Sequence, residues 1–325
     1  MVMPSSGPLN MGGTSSPVSV AQELGLSLTA TISMNQANVR TLAGVGGSGT
    51  TWSMNSLYGK SNAFSFTISS NQTNANLRTL AVNAGWNQSS KVIATINGGI
   101  FISSNGTGTA ALTVNGSFPG GVDLINNGTI AGMGGAGGIG GAINYSSVAV
   151  PGTAGASGGL ALSVSSAVSI TNNGTIGGGG GGGGGGQACQ NRYVDRETRL
   201  LWGGGGGGGQ SSAAANSAGG AAGSVAGQVS AGTQPQPGGA GTSSGAGAGG
   251  AGTANPYAGN PGYGGAGGAG GTRGAAGASG GNYSIGFGPV YVTAGPYSGG
   301  SAGGAVSGNA NITWLAYGTR LGAIT

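Results

Sequence analysis

Between residues 61 and 176, apolar and polar positions alternate in short runs, "AFSFTIS", "KVIATIN", "GIFIS" and "AALTVNG", separated by Asn and Gly. A period of two puts successive side chains on opposite faces of a strand, so these runs predict half-buried strands. The Asn/Gly breaks between them predict hairpin turns. "VDLINNGTI" at 122–130 and "VSITNNGTI" at 168–176 are near-copies, each a strand, an Asn-Asn-Gly turn and a short strand that runs into glycine. Two instances of one unit are therefore expected, each launching a glycine-rich segment. Upstream, residues 1–60 space their apolar positions for a short helix or two, with Ser and Asn at N-cap positions. The stretch "NVRTLA" at 38–43 returns as "NLRTLA" at 76–81 and reads as a repeated packing turn.

From about residue 131 the alternation gives way to a register of three. Gly132, Gly135, Gly138 and Gly141 keep it, as do Gly152, Gly155 and Gly158, and the longest run is Gly262, Gly265, Gly268, Gly271, Gly274, Gly277 and Gly280. Three residues per turn is the period of the polyproline-II helix, which makes no internal hydrogen bonds, so its amides need lateral partners. A packed bundle of glycine helices meets that need, and a flexible linker is the alternative. The register, and the ordered-looking ending "ANITWLAYGTRLGAIT", favour the bundle. The expected fold is mainly β with a glycine-rich polyglycine-II helix bundle and a short helical N-terminal segment. Its expected divisions are 1–60, 61–176 and 177–325.

Composition narrows the function. Glycine supplies 82 of 325 residues while proline supplies only 11, which excludes collagen. Nine Lys/Arg against four Asp/Glu leave a net charge of +5, too few charges for the disordered class. The cations are scattered, so no phosphate-binding face is legible and no nucleic acid partner is expected. With no histidine and only Glu23, Asp123, Asp195 and Glu197 as acids, neither an acid/base pair nor a metal or cofactor site can be assembled, and no enzyme is expected. The one cysteine, Cys189, allows no disulfide within the chain. No apolar run approaches the ~20 residues that span a bilayer, and the N-terminus lacks a secretory pattern, so no membrane insertion is expected.

Scarce chemistry collects in one place. Glycine tracts at 177–186 and 203–209 flank "QACQNRYVDRETRLLW", residues 187–202. Arg192, Tyr193, Arg196, Arg199 and Trp202 are of the residue types that dominate binding hot spots, which makes them candidate receptor contacts. Leu200 and Leu201 are expected to fold the insert back onto the glycine slab. Proline and tyrosine interrupt the glycines again at 255–263, with Tyr257 and Tyr263, and at 287–297, with Tyr291 and Tyr297. Each of these tyrosines either contacts a partner or caps the slab.

The N-terminal "ISMNQANVRTLAG" and "SMNSLYGKS", the "INNGTI" that leads into polyglycine, and the closing "NITWLAYGTRLG" resemble tail-fibre and tail-tip receptor-binding proteins of tailed bacteriophages. The resemblance implies a rigid polyglycine-II slab whose loops bind the host surface, namely a lipopolysaccharide, pilus or outer-membrane protein, without chemistry on it. It also implies other phage tail proteins as partners, an N-terminal virion-attachment segment and a place at the distal tail. A homotrimer is expected, with a monomer mounted on another fibre protein as the alternative. A glycine-rich bacterial cell-surface protein is the second reading.

Overall fold

The computed structural model describes residues 3–12, 19–27, 29–47, 49–60, 62–192, 198–228, 230, 232–255 and 261–325. The strands predicted from alternation form, but they do not fold back as hairpins. They wind as the coils of a three-sided parallel β-solenoid. The first coil is β1 (Phe64–Ile68), β2 (Gln72–Thr73) and β3 (Ala75–Asn76), and the second is β4 (Val92–Ile96), β5 (Phe101–Ser103) and β6 (Leu112–Val114). The third holds β7 (Val122–Asn126) and β8 (Thr129–Ala131). A glycine excursion then carries the short pair β9 (Ala142–Ile143) and β10 (Ala149–Val150) before β11 (Leu162–Val164) completes the coil. The fourth holds β12 (Val168–Asn172) and β13 (Thr175–Gly177). A longer excursion follows with β14 (Ala188–Arg192), β15 (Thr198–Leu201), β16 (Ala254–Asn255), β17 (Gly262–Tyr263), β18 (Ser284–Ile285) and β19 (Val290–Ala294). β20 (Val306–Ser307) completes that coil, and β21 (Ile312–Ala316) and β22 (Thr319–Leu321) begin the last.

Each side of the solenoid is one parallel sheet, in the orders β1-β4-β7-β12-β21, β2-β5-β8-β13-β22 and β3-β6-β11-β20. The register stacks like on like. Phe66, Ala94, Leu124, Ile170 and Trp314 form one interior column, and Ile102, Ile130 and Ile176 another. These columns make a single hydrophobic core, in which Val92, Ala94, Ile96, Ile102, Leu112, Leu124, Ile130, Leu162, Ile170 and Ile176 have no exposed surface. The strands cross the boundary expected at 176/177, because β20–β22 belong to the same solenoid as β1–β13. The glycine slab is an insertion in two of its coils.

The two Asn-Asn-Gly copies are corners of adjacent coils. Asn126 and Asn172 point inward and are buried, Asn126 Nδ2 donating to Asn172 Oδ1 at 2.8 Å and Asn172 Nδ2 to the Tyr317 carbonyl at 2.8 Å. Outside the corner, Asn173 Nδ2 donates to Asn127 Oδ1 at 2.9 Å. Local alternation cannot separate a hairpin from such a corner, because the distinguishing partner lies a whole coil away. Asn172→Ala strands the Asn126 amide and the Tyr317 carbonyl in a buried site and is expected to cost about 2–3 kcal/mol. Asn173→Ala, on the exposed ladder, should cost under about 0.5 kcal/mol. Urea unfolding of the two variants measures the difference.

The predicted N-terminal helices are α1 (Val20–Glu23) and α2 (Ala37–Ala43), and a third, α3 (Leu77–Asn83), follows β3. Ser19 and Gln22 form a capping box on α1. The echoed text forms α2 and α3, with Val39 and Leu77 buried at matching positions. Val39 joins Met3, Val20, Leu42, Ala43 and Leu57 in a small separate core, whereas Leu77 enters the solenoid.

In the slab, the glycine-rich segments are 132–141, 152–160, 178–187, 203–210, 218–223, 236–242, 247–253, 264–272, 275–281 and 297–304, and they have no helix and, apart from an isolated bridge of Gly241 to Ser217, no strand pairing. Their backbones bond laterally with a period of three. Along the first bare tract, Gly179, Gly182 and Gly185 donate to Gly159, Ala156 and Thr153; Gly180, Gly183 and Gly186 to Gln210, Gly207 and Gly204; and Gly181, Gly184 and Gln187 to Ala275, Ala278 and Gly281. Its carbonyls accept in the same rhythm from segments 132–141, 265–274 and 297–303. The tract is thus enclosed by six neighbours. The second bare tract is enclosed likewise, bonding to segments 135–141, 180–186, 220–223, 236–242, 247–250 and 265–271.

Enclosure explains why these two tracts are bare. At every position from Gly178 to Gly186 an added Cβ would overlap a backbone atom of a neighbour. Peripheral segments have one side free, and they carry non-glycine residues there: Ala136 and Ile139 on one, Ala266 and Ala269 on another, all exposed. The longest glycine register, 262–280, does not run as one segment. It reverses at Gly274, whose φ of +67° requires glycine, and Ala278 then bonds back to Ala269.

Candidate functional site

Segments leave the solenoid at Gly132 and Gly178 and return at Leu160 and Gly304, so the far end of the slab lies at Gly141 and Gln187. Hydrogen bonds bring Gly203, Gly223, Gln236, Thr253, Gly265, Gly281 and Tyr297 to that level. The connections 142–151, 188–202, 224–235, 254–263 and 282–296 therefore gather there. Recognition loops on a rigid scaffold are the usual place for binding.

The insert is a hairpin. β14 pairs with β15 on one side and with β19 on the other, in a three-stranded sheet. Its inner face closes a small core of Ala142, Ile143, Ala188, Leu200, Trp202 and Ala294. Leu200 enters this core, and Leu201, on the opposite face of β15, is buried against Gly262. Trp202 enters the core too: it is 2% exposed, and its indole N–H donates to the Ile143 carbonyl at 2.9 Å. Its ring offers no face to a receptor. Trp202→Ala is expected to cost about 3–5 kcal/mol, because it removes a large buried side chain and strands a carbonyl. The check is a thermal melt, in which a drop should appear whether or not receptor is present.

Arg192 is exposed at the end of β14, whereas Arg199 is 4% exposed. Tyr193, Arg196 and Tyr257 lie outside the described residues. Tyr297 is a cap: its hydroxyl accepts from the Gly152 amide at 2.7 Å, and its ring lies against Gly152 and Gly295. Tyr291 and Tyr263 are open, at 57% and 44% exposure. Cys189 is enclosed, and burial pushes its thiol up to about 12, so it is no reactive nucleophile at neutral pH.

Phe287, at the start of the 287–297 stretch singled out above, is 71% exposed, and two open residues missed in the sequence stand at the same end, Tyr145 (60%) and Val148 (55%). The usable signal was the loss of glycine register over 142–151, the feature that singled out 187–202. Large rings thus stand exposed on the connections at this end, as does Arg192. Among the described residues no three His, Cys, Asp or Glu side chains come together to hold a metal.

At the near end, Arg273 ties the turns. Its guanidinium donates to the Ser211 and Ser243 carbonyls at 3.0 and 3.1 Å, and its backbone amide to Gln210 Oε1 at 3.0 Å. Burial lowers its pKa.

The family described as phage tail fibre adhesin Gp38 matches residues 63–325. Among solved structures, a chain of the gp37–gp38 adhesin tip complex of the bacteriophage S16 long tail fiber is 21% identical, with 97% of this chain and 100% of that chain covered and a TM-score of 0.47. At that distance the likeness carries no argument about site or partner. No curated protein matches the sequence.

Proposed function

The chain belongs to the Gp38 family of phage tail fibre adhesins, and from that premise we propose that its far-end loops bind the host bacterial surface without performing chemistry on it. The observation that carries this reading is the set of large apolar side chains, Tyr145, Phe287 and Tyr291, each more than half exposed on the loops farthest from the solenoid. Exposed aromatic clusters on soluble proteins mark contact surfaces. Arg192, Tyr193, Arg196, Tyr257 and Tyr263 belong to the same proposed surface, and Arg199 and Trp202 support it from beneath. The receptor is a lipopolysaccharide, a pilus or an outer-membrane protein.

The slab is in this reading a polyglycine-II bundle. The three-residue hydrogen-bonding period and the six neighbours around each bare tract support it. At about 3.1 Å per residue, the segments are struts that hold the loops some tens of ångströms from the solenoid. A non-enzymatic role is supported by the two described acids: Asp123 is paired with Lys91 at 2.6 Å, and Glu23 Oε1 accepts from the Asn62 amide at 2.7 Å.

Residues 1–60 precede the part matched by the family and are proposed to attach the adhesin to another tail protein. Apolar strands in need of partners would favour a homotrimer, but the core strand positions are buried within one chain. A monomer mounted on another fibre protein is therefore favoured over the trimer. The test is competition: purified protein should block phage adsorption to host cells, and electron microscopy of virions with labelled protein should place it at the tail tip. Failure to compete, with the label at the tip, leaves an assembly protein and removes receptor binding.

A further inference from the structure

The solenoid has two ends, and they are finished differently. At the C-terminal end β21 carries a bulge opposite Ile170 and Thr171, and the Arg320 guanidinium lies 4.9 Å from the Trp314 ring and 4.6 Å from that of Tyr317. Bulges and charged side chains are the ordinary means of closing a sheet edge. At the other end β1 is a regular strand, FSFTI, paired only with β4 and without bulge, proline or lysine. The Phe64 amide donates to Lys91 and the Ile68 carbonyl accepts from Asn97, so the peptide groups of Phe64, Phe66 and Ile68 face β4. Those of Ser65 and Thr67 consequently face the open edge, where both residues are exposed. Phe64 and Phe66, ring centroids 5.9 Å apart, remain half-buried.

A matching occupant stands earlier in the same sequence. The echo at 38–43 is the end of a longer repeat: Thr31-Ile32-Ser33, Asn35-Gln36, Ala37-Asn38 and Arg40–Ala43 return identically as Thr67-Ile68-Ser69, Asn71-Gln72, Ala75-Asn76 and Arg78–Ala81. The second copy spans β1, β2, β3 and the start of α3, almost a whole coil. The first copy forms only its helix. Its strand portion is unpaired and alternates, with Ala30, Ile32 and Met34 half-buried and Thr29, Thr31 and Ser33 exposed. The amides of Thr31, Ile32, Ser33 and Met34 find no acceptor among the described residues.

We propose that residues 29–43 encode a further coil of the solenoid, whose strand docks in parallel on the open edge of β1 in the same chain. The register follows from the repeat: Ala30 beside Phe66, Thr31 beside Thr67 and Ile32 beside Ile68. It extends the existing columns to Ala30–Phe66–Ala94, Thr31–Thr67–Thr95 and Ile32–Ile68–Ile96, alternating small with large where Phe66 needs cover. The Ile32 amide then donates to the Thr67 carbonyl, and the Thr67 amide to the Ala30 carbonyl. Residues 44–63 supply the return to β1, a longer connection than the 84–91 stretch that serves the next coil. The segment thus has two seats: against Met3, Val20 and Leu57, as here, or on β1.

Paired cysteines test this. Neighbouring strands lie about 4.8 Å apart, within disulfide reach. On mild oxidation of the full-length protein, Thr31→Cys/Thr67→Cys should close an intrachain disulfide, whereas Ile32→Cys/Thr67→Cys, with side chains on opposite faces, should not. Cys189, buried and protonated, does not compete. In the unsubstituted protein, amide exchange should be slow at Ile32 and Thr67 and fast at Thr31. The proposal is overturned if neither pair closes and Ile32 exchanges as fast as Thr31. It is equally overturned if both pairs close alike, or if the Thr31/Thr67 disulfide forms only between chains, which would make the occupant a second copy.

Discussion

Gly183→Val is expected to lower the unfolding stability by at least about 3 kcal/mol, while Ala266→Val, on a peripheral segment, changes it by less than about 0.5 kcal/mol. Gly183 sits in the middle of the enclosed tract, donating to Gly207 at 2.7 Å and accepting from Gly138 at 2.7 Å. Its φ is not in the left-handed region, so the penalty is one of space rather than backbone strain. A Cβ there would overlap the Gly268 carbonyl and approach that of Ala269. Segment 264–272 must then move outward, which stretches the bonds Gly207→Gly268, Gly268→Gly184 and Gly271→Gly181. At about 1 kcal/mol for each net hydrogen bond, losing three gives the stated minimum. Ala266 is exposed, and its enlargement meets solvent. Gly268→Val and Gly271→Val should behave like Gly183→Val, because their Cβ positions meet the backbone of 275–279. Thermal unfolding of all four proteins decides; equal midpoints would mean that lateral glycine packing does not hold the slab.

Phe287→Ala combined with Tyr291→Ala is expected to reduce adsorption at least tenfold while leaving the melting temperature within a degree or two. Both side chains are more than half exposed, so truncation removes little packing. Hot-spot aromatics contribute about 2 kcal/mol or more at an interface, and 1.4 kcal/mol is already a factor of ten. Trp202→Ala supplies the contrast: its stability should fall first, and any loss of adsorption should track the loss of folded protein. Unchanged adsorption in the double variant would move the contact to Tyr145, Val148 and the segments around Tyr193 and Tyr257.

The glycine register was readable because it is chemical. A position enclosed by other backbones accepts only glycine, and so the number of bare faces on a segment is written directly in its residues: none substituted at 178–186, one in three at 132–141. The alternation that marks β4, β7 and β12 was readable for the same reason, since every inward position is apolar except the corner residues Asn126 and Asn172. The insert was legible as an interruption of glycine, and so in retrospect was 142–151.

What the chain's text left open is where those pieces meet. An Asn-Asn-Gly corner and an Asn-Asn-Gly hairpin have the same local residues, and only the partner across the coil, Asn172 for Asn126, makes one of them. The placing of β20–β22 with β1–β13 likewise depends on contacts between residues more than a hundred positions apart, which no local period encodes. Trp202 and Arg199 carry the residue types of a binding surface, yet Trp202 is buried in the core beneath the hairpin and Arg199 is buried as well, while Tyr291 on the neighbouring strand is exposed. Residue type records what a side chain is able to contact. Which side of the sheet faces the slab is set by tertiary packing, because the apolar area of Leu200, Trp202 and Ile143 is buried only when that face turns inward.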